Sequence, residues 1–221
     1  MNKETDKDIL SKIPLFTILI CILLFILHYL RSSLSPIFPN FEWGLINFNV
    51  FFNGRVYGVI TYAFMHFTWI HLLFNLSQIL IFGYMLEKKL RLIELLGLFF
   101  ISILVGGILS LILVGLLDPQ WFFMGSSGFG NGFLGCAWML SIKQVKQNNH
   151  KRLYNDIFFY FYLFSTIFFA ILPIVNVIFE LDEILYVLLN LGIMFIHLFC
   201  VFIGMLFGFF IYGKIKSRGM G

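Results

Sequence analysis

The chain has 221 residues, 60% of them hydrophobic and 12% charged, with a mean hydropathy of +0.95. Soluble domains run at about 45–50% apolar and about 25% charged, so this composition excludes a soluble protein. The apolar stretches are continuous, without the period-2 alternation of outer-membrane strands, and the length leaves little room for a separate soluble domain. The net charge of +4 is gathered just outside those stretches, which is a topology signal and speaks against nucleic acid as a partner.

A transmembrane helix needs about 20 mainly apolar residues. Six segments qualify: 13–30, 57–86, 92–117, 127–142, 154–179 and 184–212. Lys3, Lys7 and Lys12 precede the first, and Lys88, Lys89 and Arg91 separate the second from the third. Lys143, Lys146, Lys151 and Arg152 separate the fourth from the fifth, and Lys214, Lys216 and Arg218 follow the sixth. The other side carries Arg31 and Arg55 among Glu42, Asp118, Glu180, Asp182 and Glu183. The positive-inside rule therefore puts both termini in the cytoplasm. The expected organisation is a cytoplasmic tail at 1–12, an all-α polytopic membrane domain of six helices at 13–213, and a second cytoplasmic tail at 214–221.

The first apolar run exceeds the roughly 7–15 residues of a signal-peptide core, so retention is expected over cleavage near Ser32–Ser35. Residues 32–55 then mix Pro36, Pro39, Trp43 and five phenylalanines with Gly and Asn. This stretch is too apolar for a solvated loop and too broken to span. It reads either as an interfacial, partly embedded loop or as a loop packed on helix ends.

The second segment carries Met65-His66, then His71, Asn75 and Gln78. The last three share a helix face, where their side chains could meet a developing oxyanion. His66 lies about 140° from His71 around the helix and is expected to order the helix start or the adjoining loop. Asp118-Pro119-Gln120 breaks the third segment, and Trp121-Phe122-Phe123-Met124 leads into Gly125-Ser126-Ser127-Gly128. A Gly-x-Ser-Gly turn can present a serine nucleophile. The fourth segment is about 24 Å long at 1.5 Å per residue, short of the roughly 30 Å hydrocarbon core. Its first residues, with unpaired backbone N–H groups and the positive dipole end, are thus expected below the membrane surface. The alternative is close packing, for which Gly128, Gly132 and Gly135 form a surface.

His197 lies deep in the sixth segment, where an ionisable group marks a functional site by default. Cys200, Gly204 and Gly208 lie within about 60° of it on the helix, so the histidine sits on a close-contact stripe. It could activate Ser127 across that seam, or be a core histidine bonded to a carbonyl. No Asp or Glu falls well inside a segment; Glu87, Glu94 and Asp156 lie near the ends. The chemistry read from these residues is hydrolysis by a Ser–His dyad without a carboxylate. The same absence argues against a proton-coupled transporter. Cys21, Cys136 and Cys200 lack metal or disulfide spacing and read as packing residues.

This ordered set of His71-x-x-x-Asn75 after Met65-His66, Gly125-x-Ser127-Gly128, and His197 with its small-residue stripe resembles the rhomboid family of intramembrane serine proteases over residues 57–213. The resemblance implies a six-helix rhomboid-like bundle with a membrane-embedded first loop. It implies Ser127 as nucleophile, His197 as general base, and an oxyanion hole of His71, Asn75 and the Ser127 backbone N–H. It further implies an endopeptidase that needs no cofactor or metal, cuts transmembrane protein substrates in or beside their spans, and sits in lipid, here in a bacterial cell membrane. The family also holds catalytically inactive members that bind transmembrane clients. Three positions depart from its pattern. Tyr57-Gly58 stands for a Trp-Arg pair that anchors the first loop. Asn131 stands for the aromatic that stacks on the catalytic histidine, and is expected to hydrogen-bond the imidazole instead. Cys200 stands for a glycine and adds bulk at a tight contact.

Overall fold

A computed structural model describes residues 13–34, 47–144, 160, 164 and 184–218. Its helices are α1 (Leu15–Leu34), α2 (Phe48–Phe52), α3 (Gly58–Thr61) followed by a 3₁₀ turn (Tyr62–Phe64), α4 (Trp69–Glu87), α5 (Leu92–Leu113), α6 (Ser127–Gln144) and α7 (Ile184–Ser217). Among the described residues, four stretches are long and apolar enough to cross a membrane: Leu15–Leu34, Trp69–Glu87, Leu92–Leu113 and Leu188–Ser217. The expected fifth span at 154–179 and the expected tails lie outside the described residues, apart from Tyr160 and Phe164 and the start of the C-terminal tail.

The helix boundaries have local causes. The predicted second segment, one helix over 57–86, is corrected: regular α4 begins only at Trp69. Thr68 is extended (φ −135°, ψ 159°), and its hydroxyl accepts from the His71 N–H, capping the helix. Upstream, Tyr62, Ala63, Met65 and His66 are buried as an irregular segment, and the Tyr62 carbonyl accepts from Gly125 N–H at 3.0 Å. Hydropathy does not register a cap, so the apolar run conceals the break. The predicted third segment likewise ends early, at Leu113, where the Val114 and Gly115 N–H groups both bond the Ser110 carbonyl; beyond it the Asp118 carboxylate accepts from Gln120 N–H at 2.9 Å in a further turn. α5 starts with a capping box between Arg91 and Glu94.

α6 is the central helix. It runs 18 residues, about 27 Å at 1.5 Å per residue, and every residue from Gly128 to Ala137 is buried. Its glycine-rich sequence is too weakly apolar to face lipid, and α4, α5 and α7 surround it. The tightest contact is with α7. A Cβ on Gly204 would strike the Gly132 carbonyl, one on Gly135 would strike the Val201 carbonyl, and one on Gly208 would lie 3.0 Å from the Cys136 oxygen. The predicted small-residue stripes therefore meet each other backbone to backbone. Cys200 faces Gly106 of α5, whose hypothetical Cβ would be 3.5 Å from the thiol, so its bulk is absorbed there.

α1 is peripheral and buries only Thr17, Cys21, Leu24 and His28, a stripe with seven-residue spacing. Both of its ends are tied by polar groups. The Glu87 carboxylate accepts from Phe16 N–H (2.8 Å), Thr17 N–H (2.9 Å) and the Thr17 hydroxyl (2.8 Å). Arg31 donates to the His66 carbonyl. α7 spans about 51 Å by length and continues through Lys214 and Lys216; just beyond it, Arg218 pairs with Glu94.

If the α6–α7 seam sets the fold, Gly204→Val will destabilise the protein by the upper part of the about 1–3 kcal/mol typical of overpacking. Gly213→Ala, with nothing within 4 Å of its hypothetical Cβ, will change stability little. Thermal unfolding in detergent micelles reads both, and an unchanged midpoint for Gly204→Val would contradict the seam.

Candidate active site

The chain after α5 returns to the bundle through Phe122–Met124 and turns at Gly125, whose φ of +133° is open only to glycine. A Cβ there would also lie 2.9 Å from His71 Cε1 and 3.0 Å from His71 Nε2. The turn thus presses its bare Cα against the His71 ring, and Ser127 becomes the first residue of α6.

Ser127 Oγ and His197 Nε2 lie 2.9 Å apart in a hydrogen bond between α6 and α7. Both residues are half-buried. They form part of the wall of two cavities, one of about 510 Å³ lined from α4, α6 and α7, the other of about 340 Å³ reaching Tyr62 and Gly125. His71 borders both, so a group attached to Ser127 could be approached by it from either side.

Asn75 is 2% exposed and its Nδ2 has no hydrogen-bond partner. That amide nitrogen points toward the same glycine, 3.7 Å from the hypothetical Gly125 Cβ. A buried donor left unpaired is costly. The Ser127 N–H, at the first helical position, has no partner within its own helix. His71 and Asn75 therefore meet at Gly125, two residues before Ser127, and line one cavity with it.

Ser126 is engaged elsewhere. Its hydroxyl bonds His66 Nε2 at 3.0 Å, and its N–H points to the same nitrogen at 3.3 Å. Both residues are fully buried. His66 also meets the rings of His71 (5.2 Å between centroids) and His28 (6.2 Å). His66 thus sits in the loop before α4, outside the helix around which its angle to His71 was reckoned, and reaches across to the turn that presents Ser127. His28 went unnoticed in the sequence because one histidine near a helix end gives no periodic signal. It packs edge-on against Trp69 at 4.5 Å.

Asn131, one turn after Ser127, accepts from Gln78 Nε2 through its side-chain oxygen at 2.9 Å. The bond that stands out is to Gln78, whereas the sequence pointed to the imidazole. Asn190 also borders both cavities. It was legible in principle, lying two turns before His197 on the same face. The described acids are committed: Glu87 to α1, Glu94 to Arg91 and Arg218, and Asp118 to its own turn. Among the described residues no group of three His, Cys, Asp or Glu side chains could hold a metal ion.

This helical bundle, with its polar cluster enclosed between apolar helices, is that of an all-α polytopic, integral membrane protein. A family model described as the Rhomboid domain matches residues 53–214, most of the chain, and the protein belongs to the rhomboid family. No curated protein matches it.

The His66–Ser126 lock predicts unequal losses. Ser126→Ala keeps the Ser126 N–H contact to His66 and will cost about 0.5–1.5 kcal/mol. His66→Phe strands two buried Ser126 groups and will cost about 1–3 kcal/mol for each. Thermal unfolding of the two variants tests this order; equal midpoints would remove His66 from the lock.

Proposed function

We propose that the protein is an intramembrane serine endopeptidase that hydrolyses peptide bonds in or near transmembrane segments of other membrane proteins. The observation that carries this reading is the 2.9 Å contact between Ser127 Oγ and His197 Nε2, made at the mouth of a cavity within a membrane bundle. Ser127 Oγ attacks the scissile carbonyl carbon as His197 Nε2 takes its proton. The carbonyl oxygen becomes an oxyanion, and His71, Asn75 and the Ser127 N–H donate to it. Collapse breaks the C–N bond, and the leaving amine takes the proton from His197. Water, deprotonated by His197, then attacks the acyl-enzyme and releases Ser127 and the new carboxylic acid. The glycine at 125 leaves room for His71, and no residue larger than glycine is compatible with that approach.

The same reading puts the six-helix domain at 13–213 between cytoplasmic tails, both termini inside, in a bacterial cell membrane; the distribution of Lys and Arg supports the orientation. Transmembrane substrates and lipid are its partners. The second reading is an inactive rhomboid-like protein that binds transmembrane clients. What favours it is Asn131 at the aromatic position and Tyr57-Gly58 at the Trp-Arg pair; what opposes it is the intact Ser127–His197 pair.

A fluorophosphonate probe and a model membrane substrate separate the two readings. The wild type will label and cleave, Ser127→Ala and His197→Ala will do neither, and Ser126→Ala will retain activity. A folded wild type that takes no label would favour the client-binding reading. Asn75→Ala will lower kcat by about 10²–10³-fold with KM nearly unchanged; normal turnover would exclude Asn75 from the oxyanion hole. Because the base must be neutral, activity will fall as pH drops and His197 gains a proton. A rate that stays flat through acid pH would count against His197 as base.

A further inference from the structure

The last turns of α1 carry a polar cluster that lines neither cavity. Thr17, Cys21, Leu24 and His28 make the buried stripe of this helix, and Arg31 continues it at the same alternating spacing of four and three residues. Arg31 is half-buried, and its guanidinium donates to the His66 carbonyl. His28 lies against Trp69, the first residue of α4, at 4.5 Å, and Phe25 meets the same ring at 5.5 Å. The end of α1 thus holds the chain on both sides of the Thr68 cap. His66 carries that hold toward the site. Its Nε2 receives the Ser126 N–H at 3.3 Å, so this nitrogen bears the lone pair and the ring proton sits on Nδ1. The Ser126 hydroxyl, at 3.0 Å, then donates to the same lone pair. The N–H contact is already long, and hydrogen bonds weaken steeply as their geometry worsens. His66 therefore has little room to move before Ser126 is released.

Resting on the proteolytic reading above, we infer that Arg31 is a positioning residue for catalysis: by holding the His66 carbonyl it fixes the imidazole that pins Ser126, and so steadies the peptide plane that carries the Ser127 N–H. That plane is the link. The six atoms from the Ser126 Cα to the Ser127 Cα are coplanar, the Ser127 N–H among them. Pinning Ser126 at its own N–H and hydroxyl restricts how the plane can turn, and the oxyanion donor it bears keeps its aim. Without the guanidinium the His66 carbonyl loses a charged donor, and the loop is free to shift by the fraction of an ångström that the long Ser126 contact does not tolerate. A misplacement of about 1 Å costs about 10²-fold in rate, and a smaller shift costs less. Because Arg31 lines neither cavity, its loss falls on turnover and leaves substrate binding as it was. The other end of α1 offers a comparison within the same helix. Glu87 docks it through Phe16 and Thr17, about 21 Å along the helix from Arg31 at 1.5 Å per residue.

The test uses the full chain in lipid vesicles with one model membrane substrate and a fluorophosphonate probe, at a temperature well below every unfolding midpoint. Arg31→Met keeps an unbranched stem and removes the donor. It is expected to lower both kcat and the labelling rate about 10-fold, with KM unchanged. Glu87→Gln is expected to lower the unfolding midpoint and to leave kcat at the wild-type value. Should Arg31→Met fail to fold, Arg31→Lys makes the same comparison. Its shorter, single-headed cation weakens the bond, and kcat is expected to fall about 3-fold. An unchanged kcat in the Arg31 variant, or a change confined to KM, overturns the role. So does an equal loss of kcat in Glu87→Gln, which would make Arg31 one more docking contact of α1. Wild-type labelling separates the failures. Wild type that labels and cleaves beside an unaffected Arg31 variant defeats only this inference, whereas wild type that neither labels nor cleaves defeats the proteolytic reading with it.

Discussion

The close approach of α6 and α7 is the constraint on which the site depends. Apolar side chains gain little from each other in a medium that is itself apolar, so helices in lipid associate through packing and backbone proximity. Gly132, Gly135, Gly204 and Gly208 remove the side chains that would hold the two backbones apart. Ser127 lies before the first of these on α6, and His197 lies before the first of these on α7. The distance between hydroxyl and imidazole is thus set by residues that carry no chemistry. A wider seam would part the pair as surely as loss of either side chain.

A second constraint is that polar groups must be satisfied from within the protein. The molecule meets it by linking groups distant in sequence. Glu87 serves the start of α1, Arg31 serves the His66 carbonyl, His66 serves Ser126, and Gln78 serves Asn131. The links of Arg31 and Ser126 to His66 run through regions where backbone leaves the helical state, so the irregular Met65–Thr68 segment and the Gly125 turn are both held. Asn75 Nδ2, by contrast, is among the buried polar atoms without a partner, and it lies beside Gly125.

The sequence made the dyad legible because helical periodicity carries it. His197 falls on the stripe of Cys200, Gly204 and Gly208, and Ser127 heads that of Gly128, Gly132 and Gly135. Order along the chain and loop charge added the rest. The start of α4 was not legible from hydropathy, because the apolar residues on either side of Thr68 mask a break made by one capping hydrogen bond. Nor was the bond between His66 and Ser126 legible, for it joins two loops 60 residues apart with no spacing rule between them. Glu87 could be seen near a helix end, but its partner 70 residues earlier could not. Local patterns report which face of a helix is buried; they do not report which polar groups meet across the bundle.

The attachment of α1 bears on how the protein is made. This helix shows lipid a long apolar surface and touches the bundle through a narrow stripe. The residues that satisfy its ends, Glu87 at one and the His66 carbonyl at the other, are synthesised after it. During translation α1 therefore precedes both of its polar partners. Its polar ends are completed only when α4 has crossed beside it. The docking of α1 thereby registers that α4 has arrived beside it.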